Sequence, residues 1–317
     1  MQNITLKKLK NAYCDAIGLA LTEFLDIRNV DETDILKILT KEDLEVMCEY
    51  AVIKNILAGV GEVNIKTPLP NTAIKYIDEY NLKGKEVLSA NIIDSLSAGD
   101  LVGDRIIIEV ESLLNYTESY LSHIVDFCAT TETPVLIKLG QSLYEVGKVV
   151  SQFNHSPAEV LEEYGFLDRS CYLLGMNFID KEDQKLLKKY SPTLILTPID
   201  DAEEGRGAIN LYNLNFNTLK FVFSSGKCYN VDMFAEGRLA IYNTSNLMYD
   251  GGLVDAESVL QSLQSDNGNL QVDYESDCRK ATILDKKIVV EDAKLQTKLL
   301  NLREKIKQIA NKIKEKI

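Results

Sequence analysis

Eight short apolar segments recur along the first 223 residues of the chain, and a helix-like segment or a loop follows each of them. The segments lie at residues 6–12, 58–65, 86–93, 105–110, 134–139, 171–174, 193–196 and 219–223. Regular alternation of strand and helix is typical of a parallel sheet with helices packed on it. Eight such units predict an α/β fold in which the sheet closes into a (β/α)8 TIM barrel.

A doubly wound open sheet is the competing topology for the same alternation. In a nucleotide-binding fold of that kind a glycine-rich turn follows the first strand and holds a phosphate. The residues after the first predicted strand, Asn11 to Asp15, read Asn-Ala-Tyr-Cys-Asp and contain no glycine. The closed barrel is therefore the favoured fold.

The region 156–190 is the most completely defined unit of the chain, and it reads SPAEVLEEYGFLDRSCYLLGMNFIDKEDQKLLKKY. We predict a helix that ends at Gly165, a buried strand at 171–174 and a returning amphipathic helix. A second helix start is predicted at Thr40, because a threonine followed three residues later by an acid is the capping-box pattern.

The regular alternation of strand and helix patterns ends after the predicted barrel, which we assign to residues 1–250. Residues 251–291 contain two strand-like pieces, 270–274 and 287–290, and are interpreted as a reduced β appendage. Residues 292–317 should form one long helix, because an apolar residue recurs at alternating spacings of four and three, with a second spacing of four at the end. These residues are Leu295, Leu299, Leu302, Ile306, Ile309, Ile313 and Ile317.

The apolar seam of this last helix has three interpretations. It can pack against the acidic barrel of the same chain, form a dimeric coiled coil with a second copy, or lie on a membrane surface. Packing within the chain is favoured, because four heptads are close to the minimum for a coiled coil. A homodimer, or another protein partner that binds through the C-terminal region, remains an alternative.

Composition excludes several classes of function. The formal net charge of −13 argues against a nucleic-acid partner, since phosphates require a basic surface. No apolar run has the length of a signal peptide or of a membrane span. Six cysteines are scattered without the CxxC spacing of a zinc site or a redox motif, which suits reduced thiols. The sequence predicts a cytoplasmic protein with no membrane association.

Two segments resemble the amidohydrolase superfamily, in the branch that holds the adenosine-type, guanine and S-adenosylhomocysteine deaminases and the triazine chlorohydrolases. One is region 156–190, and the other is residues 230–240, which read NVDMFAEGRLA. The resemblance extends over about residues 8–245 and implies a (β/α)8 barrel. It also implies a divalent metal bound by an HxH pair, two further histidines and an aspartate, with a glutamate that moves protons.

The chain departs from this pattern at the matched positions. Tyr13 and Asp15 stand where the HxH histidines would be, and Lys138 stands for the third histidine. The remaining matched positions are Gln141 for the glutamate, Gly175 for the fourth histidine and Gly226 for the aspartate. The sequence therefore predicts neither a metal nor another cofactor.

The chain has only two histidines, His123 and His155, and neither is predicted at a strand end. A histidine that lacks neighbouring ligands is seldom a metal ligand. Realignment of these two residues would not restore the ligand set.

Charged residues could occupy the centre that the metal would fill. Asp15 and Lys138 project from different strands toward one axis, and we expect them to form a structural ion pair. Alternatively, Lys138 is a general-base or Schiff-base lysine with Tyr13 as its proton partner. Glu109 and Glu111 follow the fourth strand as acids at the mouth, where they could bind a cationic group or be solvated.

Three functional hypotheses follow from these residues. The first is a catalytically degenerate, metal-free amidohydrolase-like barrel that acts as a binding or partner protein, with a small-molecule ligand in the barrel mouth. The second is an enzyme with altered, metal-independent chemistry that uses Lys138, Tyr13, Asp15 and the mouth acids. The third is a hydrolase or deaminase that acts on non-peptide C–N bonds. The resemblance favours an enzyme, whereas the missing ligands favour the first hypothesis.

Overall fold

The protein was analysed as a computed structural model that describes residues 2–27, 30, 32–96, 105–216, 218–274, 284 and 288–316. The strands within these residues are β1 Gln2–Asp15, β2 Val60–Lys66, β3 Glu86–Ser89, β4 Ile106–Val110, β5 Val135–Leu139, β6 Cys171–Gly175, β7 Thr193–Leu196, β8 Lys220–Phe223 and β9 Gln264–Tyr274. All eight predicted strands are present, although β1 begins at Gln2 and not near residue 6.

Helices separate most of these strands. The α-helices are α1 Ala16–Leu21, α2 Glu32–Ile38, α3 Lys41–Leu57, α4 Thr72–Glu79, α5 Glu118–Thr130, α6 Leu143–Phe153, α7 Pro157–Glu163, α8 Lys181–Tyr190, α9 Pro198–Glu203, α10 Leu211–Phe216, α11 Met233–Met248, α12 Ala256–Leu263 and α13 Ala293–Lys314. Short 3-10 helices cover Ala90–Ser95, Leu113–Asn115 and Phe166–Asp168. The alternation expected from the sequence is therefore confirmed, and the fold is mixed α/β.

The chain forms two compact units. The first contains residues 1–86, 224–237 and 263–317, and the second contains residues 87–223 and 238–262. The predicted domain boundaries at 250 and 291 stay a prediction, as does closure of the strands into a barrel.

The second unit is built on strands that follow one another in the sheet in their order along the chain, from β3 to β8. Neighbouring strands from β4 to β8 are parallel. β4 reads IIIEV and every residue of it is buried. Four of its five residues are apolar, which is typical of a parallel strand that is buried on both faces, and Glu109 is a buried acid among them.

The region 156–190 adopts the predicted order of helix, strand and helix. α7 begins with a capping box between Ser156 and Glu159, and Gly165 has a φ of +79° just after the helix ends. α8 begins after Asp180, whose side chain accepts two backbone N–H groups. The buried carboxylate of Asp183 accepts a hydrogen bond from the Ser156 hydroxyl at 2.6 Å, which connects the starts of the two helices.

The first unit is organised around the long strand β1. β2 pairs with the C-terminal half of β1 in parallel, and β9 pairs with its N-terminal half in antiparallel orientation. The strand predicted at 270–274 is thus only the end of β9, which starts six residues earlier. Of the piece predicted at 287–290, residue 287 lies outside the described residues and 288–290 are not a strand.

Helix α13 packs on α3 within the first unit. Leu302, Ile306 and Ile313 of its apolar seam are buried. Lys312 Nζ lies 3.0 Å from Asp43 Oδ2, at the capping box that begins α3. The prediction that this helix packs against its own chain is confirmed, and the homodimer stays a prediction. None of the described helices combines the length and the apolar composition that a membrane span requires.

The packing of α13 predicts different effects for two leucine-sized side chains on the same helix. Ile306→Ala removes a fully buried side chain and should lower the free energy of unfolding by about 2 to 5 kcal/mol. Leu300→Ala, at a position 61% exposed, should change it by less than about 0.5 kcal/mol. Urea unfolding followed by circular dichroism measures both, and equal effects would show that the seam does not face α3.

Candidate functional site

The carboxylate of Asp15 lies at the junction between β1 and α1. Its Oδ1 accepts the backbone N–H groups of Ile17 at 3.1 Å and Gly18 at 3.0 Å. An acid at this position satisfies unpaired donors and interacts favourably with the helix dipole. Tyr13, two residues earlier, is buried. The Asp15 carboxylate is therefore engaged with backbone groups of its own unit.

A buried network of amides and hydroxyls joins β1 to residues 224–226, which directly follow β8. The Asn11 side chain donates to Asn55 Oδ1 and to Ser225 Oγ, both at 2.8 Å. Its Oδ1 accepts the backbone N–H of Ser225 at 3.1 Å. The carbonyl of Gly226 accepts the backbone N–H of Asp15 at 3.0 Å, and Gly226 has a φ of +56° that favours glycine. Gly226, which is matched to the family's aspartate, thus contributes a backbone hydrogen bond to β1 and no carboxylate.

Lys138 forms an ion pair with Glu109 across neighbouring strands β5 and β4. Its Nζ lies 3.1 Å from Glu109 Oε1, and the two side chains are 13% and 0% exposed. The expected pairing of Lys138 with Asp15 is corrected, because each of these residues has the different partner just described. The interpretation of Glu109 as a solvated acid is corrected, because its carboxylate is completely buried and pairs with Lys138. Its position as a mouth acid that binds a cationic group stays a prediction. Glu111 follows the end of β4 and is partly exposed.

The ends of β5 and β6 approach too closely for a side chain at position 175. Gly175 has a φ of +101°, and a Cβ atom built on it would lie 2.7 Å from Gln141 Cγ and 2.9 Å from the carbonyl oxygen of Leu139. The backbone N–H of Met176 donates to that same carbonyl at 2.7 Å. The position matched to the fourth histidine is therefore closed by Gln141 and by backbone.

The carboxyl end of β2 holds a second buried lysine that sequence reasoning missed. Lys66 pairs in register with Asp15 on β1, and its Nζ lies 3.0 Å from Glu32 Oε2. The sequence pattern around Lys66 predicted a strand but did not indicate a partner for the lysine side chain. Asn11 was missed for the same reason, although an asparagine inside an otherwise apolar strand indicates a buried hydrogen-bonded group.

The two histidines lie apart from these strand ends, whereas Cys14 lies on β1 directly before Asp15. His123 on α5 pairs with Asp94 at 2.8 Å, and His155 lies near Glu159 and Glu163. Burial raises the pKa of the Cys14 thiol to about 12, so this residue is not an activated nucleophile.

The residues at the matched positions do not fit the metal centre that the resemblance implies. Zinc and iron are held by imidazole, thiolate and carboxylate groups that converge on one point. Here the positions carry a tyrosine, an ion-paired lysine, two glycines and a carboxylate that caps a helix. In the part of the chain that the structure describes, no three His, Cys, Asp or Glu side chains are grouped to hold a metal ion.

Comparison with known proteins identifies relatives by sequence over part of the chain. A stretch of 101 residues is 26% identical to the 5-methylthioadenosine/S-adenosylhomocysteine deaminase of Caldicellulosiruptor saccharolyticus. The stretch covers 31% of this chain and 24% of that protein, so only about a quarter of the relative's length is matched. No profile of a protein family matches the chain.

Solved structures resemble the chain over most of its length. A zinc-bound adenosine deaminase from Xanthomonas campestris superposes with a TM-score of 0.78 at 12% identity, covering 96% of this chain and 86% of that one. An amidohydrolase from Brucella melitensis gives a TM-score of 0.69 at 14% identity, covering 81% and 70%. The structural likeness shows the fold, and the sequence relatives point to the same group. The chain is thus similar to members of the amidohydrolase superfamily in fold over most of its length and in sequence over about a third of it.

Proposed function

We propose that this chain is a hydrolase or deaminase that acts on a non-peptide C–N bond and that uses the Lys138–Glu109 pair in place of a metal centre. The names of its sequence relatives and structural neighbours support the reaction class. The position of the pair at the carboxyl ends of β4 and β5 supports the choice of residues, because active sites of parallel α/β barrels lie at that end of the strands. Eight parallel strands closed into a barrel are part of the proposal.

The single observation that carries this proposal is the partial exposure of Lys138 above a completely buried carboxylate. A buried ion pair between adjacent strands costs desolvation energy and is seldom needed for stability. Here one end of the pair reaches solvent. As an ion-pair partner, Lys138 is a positively charged hydrogen-bond donor, and Glu109 fixes where that donor points.

The proposed reaction is hydrolytic deamination. Water adds to the carbon that bears the amino group, the C–N bond breaks, and ammonia leaves while a carbonyl forms. Lys138 contacts the substrate and donates a hydrogen bond to the ring atom that gains negative charge when water adds. Glu109 is a positioning residue, since Lys138 separates it from the substrate.

A metal-free binding protein is the second candidate, and the closed position at Gly175 favours it. A Cβ atom at that position would overlap Gln141, so the imidazole that the resemblance implies has no room there. In this form Lys138 and Glu109 hold the strand ends and the protein binds a small molecule without turnover. A thermal-shift increase with a nucleoside, without release of ammonia from it, would support this candidate over the first.

We predict that replacement of the ion pair by apolar residues abolishes activity and leaves the protein folded. The double variant Glu109→Leu with Lys138→Met should be as stable as the wild type, because a buried pair replaced as a unit leaves no unpaired charge. Ammonia release from 5-methylthioadenosine, S-adenosylhomocysteine and adenosine should fall by at least about 100-fold. The control variant is Glu182→Leu with Lys185→Met, which removes an exposed pair on α8. Equal activity of the two double variants would contradict the proposal.

We also predict that the activity is independent of metal. Dialysis against a strong chelator should leave ammonia release unchanged, and added zinc should not increase it, because the matched positions offer no ligand set. Activity that is lost on chelation and restored by zinc would mean that residues other than those named here bind the ion.

A further inference from the structure

A buried lysine at the carboxyl end of β2 is a charged group that the proposed function does not use. Lys66 is the last residue of β2 and is 4% exposed. Its Nζ lies 3.0 Å from Oε2 of Glu32, the first residue of α2. Burial of an ammonium group is costly unless an anion lies beside it. The surroundings of Lys66 therefore accept an anion, and a side chain of the same unit supplies it in this structure.

The two partners of this ion pair are held in different ways. The Lys66 side chain is 5% exposed and extends from a strand of the sheet, whereas the Glu32 side chain is 34% exposed. α2 has seven residues, and Ile35 is the only one of these seven that is buried. A helix this short has little stability of its own. The cation is thus fixed by the sheet, and its carboxylate partner comes from a weakly anchored helix.

The segment that follows Lys66 is held rigidly. The buried carboxylate of Glu86 accepts the backbone N–H groups of Asn71 and Ala73, both at 2.7 Å. The two prolines between Lys66 and Asn71 also fix their own φ angles. The end of β2 is therefore in place before any ligand arrives, which lowers the cost of ordering on binding.

The position and the charge of Lys66 indicate which kind of ligand it could bind. Lys66 pairs in register with Asp15, so both residues lie at the carboxyl ends of adjacent parallel strands. Ligands of parallel α/β folds bind at this end of the strands. One ammonium group compensates one negative charge, and the Asp15 carboxylate on the neighbouring strand disfavours a second one. These charges favour a monoanion over a dianion such as a phosphate monoester.

We propose that Lys66 binds the carboxylate of a small monoanionic ligand and that Glu32 occupies this binding site in the free protein. The ligand carboxylate accepts a hydrogen bond from Lys66 Nζ in the place of Glu32 Oε2. The displaced Glu32 side chain, which is already partly exposed, becomes hydrated. This inference goes beyond the proposed function and does not rest on it, since it concerns neither Lys138 nor Glu109.

The displacement makes Glu32 a competitor that is tethered to the site. A group on the same chain competes at an effective concentration on the order of millimolar. A ligand must overcome this competition, so its apparent affinity for the wild type is lower than its affinity for the vacated site. Removal of the Glu32 carboxylate should therefore strengthen binding, whereas loss of a purely structural ion pair would not.

The test is a titration with acetate, measured by saturation transfer from the protein to the acetate methyl protons in NMR, with chloride used to keep the ionic strength constant. The wild type should bind acetate weakly and saturably. Glu32→Ala should bind it about 10-fold more tightly, because the tethered carboxylate is gone. The double variant Glu32→Ala with Lys66→Met should show no saturable binding, because it lacks the cation.

Asp34→Ala is the matched control for Glu32→Ala. It removes an acid from the same helix, and that acid is exposed and pairs with Lys37 at 2.8 Å. Its acetate affinity should equal that of the wild type. If Glu32→Ala does not fold, Glu32→Gln replaces it. This variant should bind acetate at least about 3-fold more tightly than the wild type, because a neutral amide is a weaker acceptor for an ammonium group than a carboxylate.

Three results would overturn the inference. Equal acetate affinity of the wild type and Glu32→Ala would show that the ion pair only anchors α2, whatever the variant does to stability. Acetate binding that persists after Lys66→Met would place the anion elsewhere. Tighter binding of inorganic phosphate than of acetate at the same ionic strength would contradict the choice of a monoanionic carboxylate.

Discussion

A buried charge needs a partner, and this requirement determines how the strand ends of the protein are built. Lys138 has Glu109, Lys66 has Glu32, and the Asp15 carboxylate has the backbone N–H groups of α1. Removing one partner from a buried pair leaves an uncompensated charge, which costs about 3 to 5 kcal/mol. The side chains at these positions are therefore constrained by one another, and they are arranged differently from ligands that converge on a metal ion.

The backbone adds a second constraint at the ends of β5 and β6. Gly140 and Gly175 both have positive φ values, and the chain after β6 donates hydrogen bonds back to Leu139 and Gly140. Because this contact lies between main-chain atoms, a larger residue at 175 would have to displace a strand end. The single substitution Gly175→His would therefore not create the metal ligand that the resemblance implies at this position. A likeness of fold alone does not establish that this chain shares the metal chemistry of its structural neighbours, as function depends on the site and not on the fold.

Much of the fold was predictable from the sequence because it follows from local patterns. β4 and β6 are largely apolar, the capping boxes of α3 and α7 are visible as a hydroxyl residue with an acid three positions later, and apolar residues recur along α13 at spacings of three and four. β9 was recognised only in part. Its sequence, QSDNGNLQVDY, is largely polar, and it is a strand because it pairs with β1, more than 250 residues away.

The candidate site was less predictable, because a sequence pattern gives the face of a strand but not the partner of a side chain. The alternation in β4 placed Glu109 correctly on a strand, yet only the register between β4 and β5 brings it to Lys138. The contact between Asn177 and Arg206 shows the same limit. The Asn177 side chain donates to the carbonyl of Arg206 at 3.1 Å, and the two residues meet because β6 and β7 are neighbours.

The most direct measurement of the central claim, that ion pairs and backbone contacts replace a metal centre at these strand ends, is a calorimetric titration of the purified, chelator-treated protein with zinc and with ferrous iron. The account predicts no saturable site for either ion, because Tyr13, Lys138, Gly175 and Gly226 do not provide the imidazole and carboxylate ligands of such a site. Stoichiometric binding of one ion with submicromolar affinity, lost in the double variant Glu109→Leu with Lys138→Met, would contradict it.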